Sequence, residues 1–312
     1  MSLQTIPVVD LQDFLSDLPQ RQQSFVSTMG TALEEIGFFA VTNHGIDTDL
    51  IQSAYRVAQD FFTLPDSIKL RYEDPKLNGQ RGFTRFGQEH AKDHPVPDLK
   101  EFWHVGRDAN LPNLRPPEIP QFHSTLDKLY AQLDRCAAKL LEACALYLGQ
   151  PRNFLSEMTE GSDTILRVIH YPPIPKEVDP NSLRSAPHED INLITLLCEA
   201  TAEGLELLRR DGTWQPIHAV TGQIIVDSGD MLQQLTNGQL KSTTHRVTNP
   251  DNERDRRFSM PFFVHPRAAI DLTPLSSCIE QTGGTAKFPP ITAGEYLQQR
   301  LQEIGLKKRD EG

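Results

Sequence analysis

An α+β chain with a mainly β core, a sandwich or closed barrel braced by helices, is the fold that this sequence predicts. Three observations carry that reading. From Thr164 onward short β-like runs follow one another: Ile165 to Tyr171, the stretch after His188, Leu205 to Leu208, and Gln223 to Asp227. Asp211-Gly212 and Asn237-Gly238 fall between such runs, and both dipeptides are hairpin signals because they tolerate positive φ. Upstream, apolar residues instead recur at helical spacing.

Taken in order, Ile6 to Asp10 is a short strand whose Pro7 suits an edge, since proline cannot donate to a ladder. Phe25, Val26, Met29, Ala32, Leu33 and Ile36 line one face of a helix that begins near Gln20 and stops at Gly37. Phe38 to Thr42 reads as a strand. Asp47 or Thr48 can cap a second helix bearing Ile51, Tyr55, Ala58, Phe61 and Phe62, which Leu64-Pro65-Asp66 ends. Residues 72–120, rich in proline, glycine and charge, read as a long functional or mobile loop. A long helix over Ile119 to Leu148 buries Leu126, Leu129, Leu133, Ala137, Leu140 and Leu141, and Gly149 and Pro151 punctuate its end. Near the end, Thr292 and Glu295 match a capping box, and Lys307-Lys308-Arg309 reads as a solvated helix end.

Composition sets the class. The 312 residues suffice for a sizeable core, and 38% hydrophobic and 23% charged residues are ordinary for a soluble protein. A net charge of -11 disfavours nucleic acid or an anionic membrane as partner. No signal peptide and no membrane-length apolar run is visible, so a cytoplasmic location is expected, and the four cysteines, without CxxC pairing, fit reduced thiols. Oligomeric state is left open.

The chemistry concentrates between His188 and Ser259. In an extended strand His188 and Asp190, two apart, face the same way, and His245 lies in a strand-like segment fifty-five positions further on (245 minus 190). Two imidazoles and one carboxylate on one face of an ion leave the opposite positions open, the arrangement of non-haem Fe(II) oxygenases, whereas structural zinc prefers four closed ligands. Arg257 and Ser259, again two apart, offer a guanidinium fork and a hydroxyl to a carboxylate, which suggests a keto-acid co-substrate. The other histidines carry less. His44, His104, His123, His218 and His265 read as structural, and His90 and His94 lack the helix that would align them.

His188-Glu189-Asp190 with Ile191 to Leu197 resembles the H-x-D-xxxx-T-L-L signature of the iron(II)/2-oxoglutarate-dependent dioxygenases of the isopenicillin N synthase-like family. Asp227 to Gln233, Thr236-Asn237-Gly238, Lys241 to Val247 and Arg257-Phe258-Ser259 continue the match, and Gly37 to Ile46 resembles the family's N-terminal signature. The spacing of twelve between His245 and Arg257 is longer than usual, with Asn249 to Glu253 as an extra loop, and Arg257 is singled out over Arg254 and Arg256 by the serine two residues later. The resemblance implies a double-stranded β-helix, or distorted jelly roll, braced by N-terminal, central and C-terminal helices. It implies a single domain over 1–312, with a helical and loop region at 1–120 and the catalytic core at 160–268. In proteins of similar look a segment such as 72–120 overlies the site mouth, and that resemblance implies Phe83, Arg85 and Trp103 as substrate contacts. It also implies Fe(II) on His188, Asp190 and His245, 2-oxoglutarate on Tyr171, Arg257 and Ser259, and dioxygen as the oxidant. Hydroxylation, desaturation or cyclisation of a small molecule, with release of succinate and CO2, is the implied reaction. Two alternatives remain at this point: an isopenicillin N synthase-type Fe(II) oxidase that needs no 2-oxoglutarate, and a catalytically silent binding protein on the same scaffold.

Overall fold

The computed structural model describes residues 6–304 and 306, apart from 93, 95, 110 and 219; the basic run at 307–309 lies outside the described residues. In chain order the elements are β1 (Val8–Asp10), α1 (Leu11–Leu15), α2 (Pro19–Glu35), β2 (Phe38–Thr42), α3 (Thr48–Phe62), α4 (Asp66–Lys69), β3 (Gly82–Thr84), β4 (Glu101–Val105), α5 (Phe122–Tyr147) and α6 (Phe154–Met158). The β-rich half adds β5 (Ile165–Tyr171), β6 (Ser185–His188), β7 (Ile194–Cys198), β8 (Leu205–Leu208), β9 (Trp214–Pro216), β10 (Ile224–Ser228), α7 (Asp230–Leu235), β11 (His245–Val247), β12 (Arg257–Val264), α8 (Ser276–Gln281) and α9 (Ala293–Glu303).

Two sheets form a double-stranded β-helix: an eight-stranded one in the order β1-β2-β10-β7-β12-β5-β4-β3, and a four-stranded one in the order β6-β11-β8-β9. Most ladders are antiparallel; β1 joins β2 in parallel at the edge, where a preceding Pro7 does no harm. Alternation along each strand separates two cores. Phe258, Met260 and Phe262 of β12 turn outward into the larger core beneath α2, α3 and α5, whose Leu126, Leu129, Leu133, Leu140 and Leu141 are buried there. Phe38, Ile169, Tyr171, Leu205, Leu207, Ile225 and Val247 turn inward between the sheets. Each fully buried side chain of this size stabilises by about 1.5–3 kcal/mol.

The helix boundaries follow local chemistry. After α2, Gly37 takes φ 80° and donates its N–H to Ala32 O at 2.9 Å, closing the helix as its position predicts. Asp47 caps α3, and Thr292 with Glu295 completes the capping box of α9. The Asp211-Gly212 turn joins β8 to β9 as expected. Asn237-Gly238 does not make a hairpin. It ends α7, with φ 54° and 78° and Gly238 N–H donating to Gln233 O at 2.7 Å, so the same positive-φ tolerance serves a helix terminus.

The stretch 72–120 also departs from expectation. It contributes β3 and β4 to the large sheet, and Trp103 is fully buried with its ring centroid 4.8 Å from Phe61 and 5.1 Å from Phe122. Phe83 lies in the same core, while Arg85 is exposed beside Glu73. None of the three lines the site described next. Five consecutive buried residues, Glu101 to Val105, form a strand inside the sheet that the loop-like composition around it obscures. Among the described residues, no helix is long and apolar enough to cross a membrane.

Candidate active site

The two histidines meet because β6 and β11 pair with His188 directly opposite His245, which sets their rings 4.4 Å apart. Each ring is fixed from behind. His188 Nδ1 donates to Ala186 O at 2.8 Å and His245 Nδ1 to Thr243 O at 3.1 Å, so in both rings Nε2 is left as the free lone pair. Asp190 Oδ1 sits 3.9 Å from His188 Nε2 and 3.8 Å from His245 Nε2. One ligand atom from each residue lies within 4.8 Å of the others, close enough for one metal ion. Burial, and then the neighbouring His245, push the His188 imidazole down to about 4, which keeps it a neutral donor.

Strand alternation does not account for Asp190, because β6 ends at His188 and Asp190 stands in the irregular segment that follows. Hydrogen bonds place it instead. Thr195 Oγ1 donates to Asp190 Oδ2, and Asn192 Nδ2 donates to Thr195 Oγ1 at 2.9 Å. Asp230 N–H donates to Asp190 O at 2.7 Å across Gly229, where a Cβ would come within 2.3 Å of Asn192 O and 2.5 Å of its Oδ1. Asp227 is buried next to Asp190, and burial and then that charge hold its carboxyl well above the usual range. In the sequence Thr195 stands only as part of a motif, with no role attached.

The space at this three-residue cluster is a small inter-sheet chamber. Tyr171, Arg257 and Ser259 line it together with His188, Asp190 and His245, so all six expected residues meet in one place. Arg257 and Ser259 both face inward from β12, and Arg257 pairs opposite Tyr171 with its guanidinium 5.0 Å from the phenol ring. Arg257 is 2% exposed, yet among the described residues its guanidinium makes one hydrogen bond, from Nε to Ala202 O at 3.1 Å, and Nη1 has no partner. A buried cation left so incompletely satisfied is a site for an anion. Arg254 and Arg256 are exposed.

A larger outer cavity opens on two of the three, His188 and Asp190, and shares Lys100, Arg167 and Phe263 with the chamber as well. Its wall holds a buried ionic cluster. Arg167 binds both Glu89 oxygens at 3.0 Å and donates to His104 Nε2 at 2.6 Å, while Lys100 reaches Asp98 and Glu89, each at 2.7 Å. Burial alone would raise the Glu89 carboxyl, but Arg167 and Lys100 outweigh it and hold it far below the ordinary range. From the other side α9 contributes Arg300 and Leu301, tied down by Arg300 Nη2 to Asp230 at 3.1 Å. In the sequence Arg85, Lys92 and Lys100 hint at an anionic substrate; Lys92 and Lys100 line this cavity and Arg85 does not, and the remaining residues come from distant segments with no local signal. His44 is structural as expected, accepting from Ile46 N–H, and among the described residues no other cluster of three metal-ligating groups occurs.

A jelly roll that gathers two imidazoles, one carboxylate and an unpaired arginine around an inner chamber defines the non-haem iron oxygenase class. Known proteins agree. Residues 6–123 match the model for the non-haem dioxygenase in morphine synthesis N-terminal region, and residues 162–266 match that for the 2OG-Fe(II) oxygenase superfamily. The chain is 32% identical over 310 residues to proline hydroxylase buaE of Petromyces alliaceus, covering 94% of this chain and 97% of that one. A 2OG-Fe(II) oxygenase family protein from Caulobacter crescentus superposes with a TM-score of 0.83 at 39% identity, covering 96% and 98% of the two chains. A full-length Neurospora crassa protein, solved in complex with alpha-KG and thymine, gives 0.85 at 26% identity, covering 95% and 96%. The chain belongs to the 2OG-Fe(II) oxygenase superfamily. It is an Fe(II)- and 2-oxoglutarate-dependent oxidoreductase that uses dioxygen to oxidise a small organic molecule.

Proposed function

We propose that His188, Asp190 and His245 hold the Fe(II), and that Arg257 and Ser259, with Tyr171 beside them, receive the distal carboxylate of 2-oxoglutarate. The donor set supports this: two imidazoles, each bonded through Nδ1 to a backbone carbonyl so that Nε2 faces the cluster, and one carboxylate suit a ferrous ion with open positions. The single observation that carries the co-substrate assignment is the buried Arg257 with Nη1 unsatisfied in the same chamber. Its fork can meet a carboxylate with two parallel N–H donors, which a lysine could not. When bound, the iron supplies one-electron and dioxygen chemistry, coupled to decarboxylation of the keto acid to succinate. The chain's own part is orientation and exclusion of water. Thr195 and Asn192 hold Asp190, the backbone carbonyls of Ala186 and Thr243 hold the imidazoles, and Phe38, Leu197, Leu205 and Val247 keep the chamber apolar between its polar ends.

The outer cavity would take a small substrate bearing polar groups, because Gln80, Lys92, Arg300 and the Glu89–Arg167–Lys100 cluster alternate there with Ile165, Ile191, Leu301 and Ile304. We assign the whole chain to one functional unit, in which region 1–120 supplies part of the cavity wall and 160–268 the metal core. A reducing cytosol suits the four buried free cysteines, and the net charge of -11 argues against nucleic acid as a partner. Anaerobic addition of 2-oxoglutarate to the Fe(II) protein tests the assignment. A weak visible charge-transfer band is expected in the wild type. Metal binding without that band would favour the oxidase that uses no keto acid.

A further inference from the structure

Two arginines, not one, are buried beside Tyr171 without an ion pair among the described residues. Arg184, just before β6, is 1% exposed. Like Arg257, it forms no ion pair among the described residues. Its Nη2 donates to the backbone oxygen of Asp255, its N–H donates to Asn249 Oδ1 at 3.0 Å, and its Nε has no partner. The guanidinium carbon of Arg184 lies 5.9 Å from the Tyr171 ring centroid, and that of Arg257 lies 5.0 Å from it. One phenol is therefore flanked by two cations. Burial and then the charge of Arg257 lower the pKa of Arg184, so the two guanidiniums repel one another across Tyr171.

Tyr171 and the charge of Asp255 offset this only in part, so placing a second buried cation there is costly unless an anion arrives to balance it. Arg184 is not part of the chamber lining. It is instead bonded to what positions that lining. The loop 249–256 that leads into Arg257 is held through Asp255 O and Asn249, whose Nδ2 donates in turn to Ser182 O at 2.9 Å. Tyr171, directly opposite Arg257 in the ladder, is held by the cation over its ring.

We propose that Arg184 is a positioning residue for the keto-acid co-substrate: it fixes Tyr171 and the approach to Arg257, and adds positive potential selecting a dicarboxylate over a monocarboxylate. This rests on the assignment of Arg257 to the distal carboxylate. The unusually long loop between His245 and Arg257 then has a use, because its last residues supply the oxygen that orients Arg184.

The full-length Fe(II) protein is titrated anaerobically with 2-oxoglutarate and with 2-oxopentanoate, which has a methyl group where the former has its distal carboxylate. The visible band is followed in wild type, Arg184→Gln and Arg184→Lys. Glutamine keeps a donor for Asp255 O without the charge, and Arg184→Met provides the same arm should that variant not fold. The expected result for Arg184→Gln is a 2-oxoglutarate Kd raised roughly tenfold, as befits one unit charge about 12 Å from the carboxylate, beyond Tyr171, at an effective dielectric near 20. The 2-oxopentanoate and Fe(II) affinities should stay unchanged, and Arg184→Lys should recover most of the loss. Equal weakening of both keto acids, or no change in either, would overturn the proposal and leave Arg184 a structural tie. Arg257→Gln separates the two layers. If it fails to shrink the preference for 2-oxoglutarate, the underlying assignment falls; if it succeeds and Arg184→Gln does not, only the role of Arg184 falls.

Discussion

Thr195→Val removes one hydroxyl and almost no volume, so it isolates the support of the aspartate ligand. In the wild type Thr195 Oγ1 donates to Asp190 Oδ2 and accepts from Asn192 Nδ2, and both Thr195 and Asn192 are buried. Valine deletes both bonds. A hydrogen bond to a charged acceptor contributes about 1.5–3 kcal/mol and a neutral one about 0.5–1.5 kcal/mol. Part of that loss falls on folding and part on the metal, because only with ion bound must Asp190 keep one rotamer while Oδ1 ligates. Removing a group that orients a metal ligand from behind costs about 10–100-fold in metal affinity. The expectation is an Fe(II) Kd raised by that factor, measured by anaerobic calorimetry with Mn(II) as a redox-inert check, and a modest fall in Tm. Thr195→Ser should restore both. An unchanged metal Kd in a folded Thr195→Val protein would refute the reasoning and mean that Asp227, or the backbone bond from Asp230, suffices to hold Asp190.

His188→Ala is expected to abolish metal binding while the circular dichroism spectrum and melting transition persist, since the sheets are held by apolar burial; global unfolding would contradict that. Arg257→Lys should weaken 2-oxoglutarate far more than Fe(II) in the same band titration, because the fork is lost; Arg254→Lys, which alters an exposed side chain, should do neither. Gly229→Ala should disturb the metal loop, since the new Cβ would meet Asn192 O at 2.3 Å and Asp190 O at 2.8 Å, for a cost of about 1–3 kcal/mol seen as a lower Tm. Glu89 bears on pH. Its carboxyl is depressed in the fold, so its stabilising contribution is complete above the ordinary value of 4.5 and is lost as pH falls towards the folded value. Glu89→Gln should therefore be less stable than wild type at neutral pH and show a flatter decline between about pH 5 and pH 2 in denaturant titrations.

Much of the site is legible in the sequence because it is encoded at short range. Arg257 and Ser259 sit two apart on a strand, and the alternation that predicts a shared inward face is the one found. His188 and Asp190 do converge, but for a different reason than strand pleat predicts, since Asp190 lies beyond the strand and a hydrogen bond from Thr195 holds its carboxylate. Phe83 and Trp103 are core residues rather than substrate contacts; loop-like composition around them hides two strands, and aromatic side chains reveal no direction until those strands join β5. Asn237-Gly238 signals a hairpin because positive φ is a property of the dipeptide, while its use depends on what precedes it, here the helix α7.

By itself the amino-acid order determined the proposed ligand types, their spacing, the strand and helix periods and the pairing of Arg257 with Ser259 on one strand face, all of which are properties of a few adjacent residues. Register between strands decided the rest. Only pairing β6 with β11 puts one imidazole opposite the other, only pairing β5 with β4 and β12 brings Arg167 to His104 and Tyr171 to Arg257, and only the path of the 249–256 loop sets Arg184 beside that phenol. Contacts between segments tens of residues apart are fixed by burial and hydrogen bonding of the whole sheet, and those forces leave no mark on any single stretch of chain.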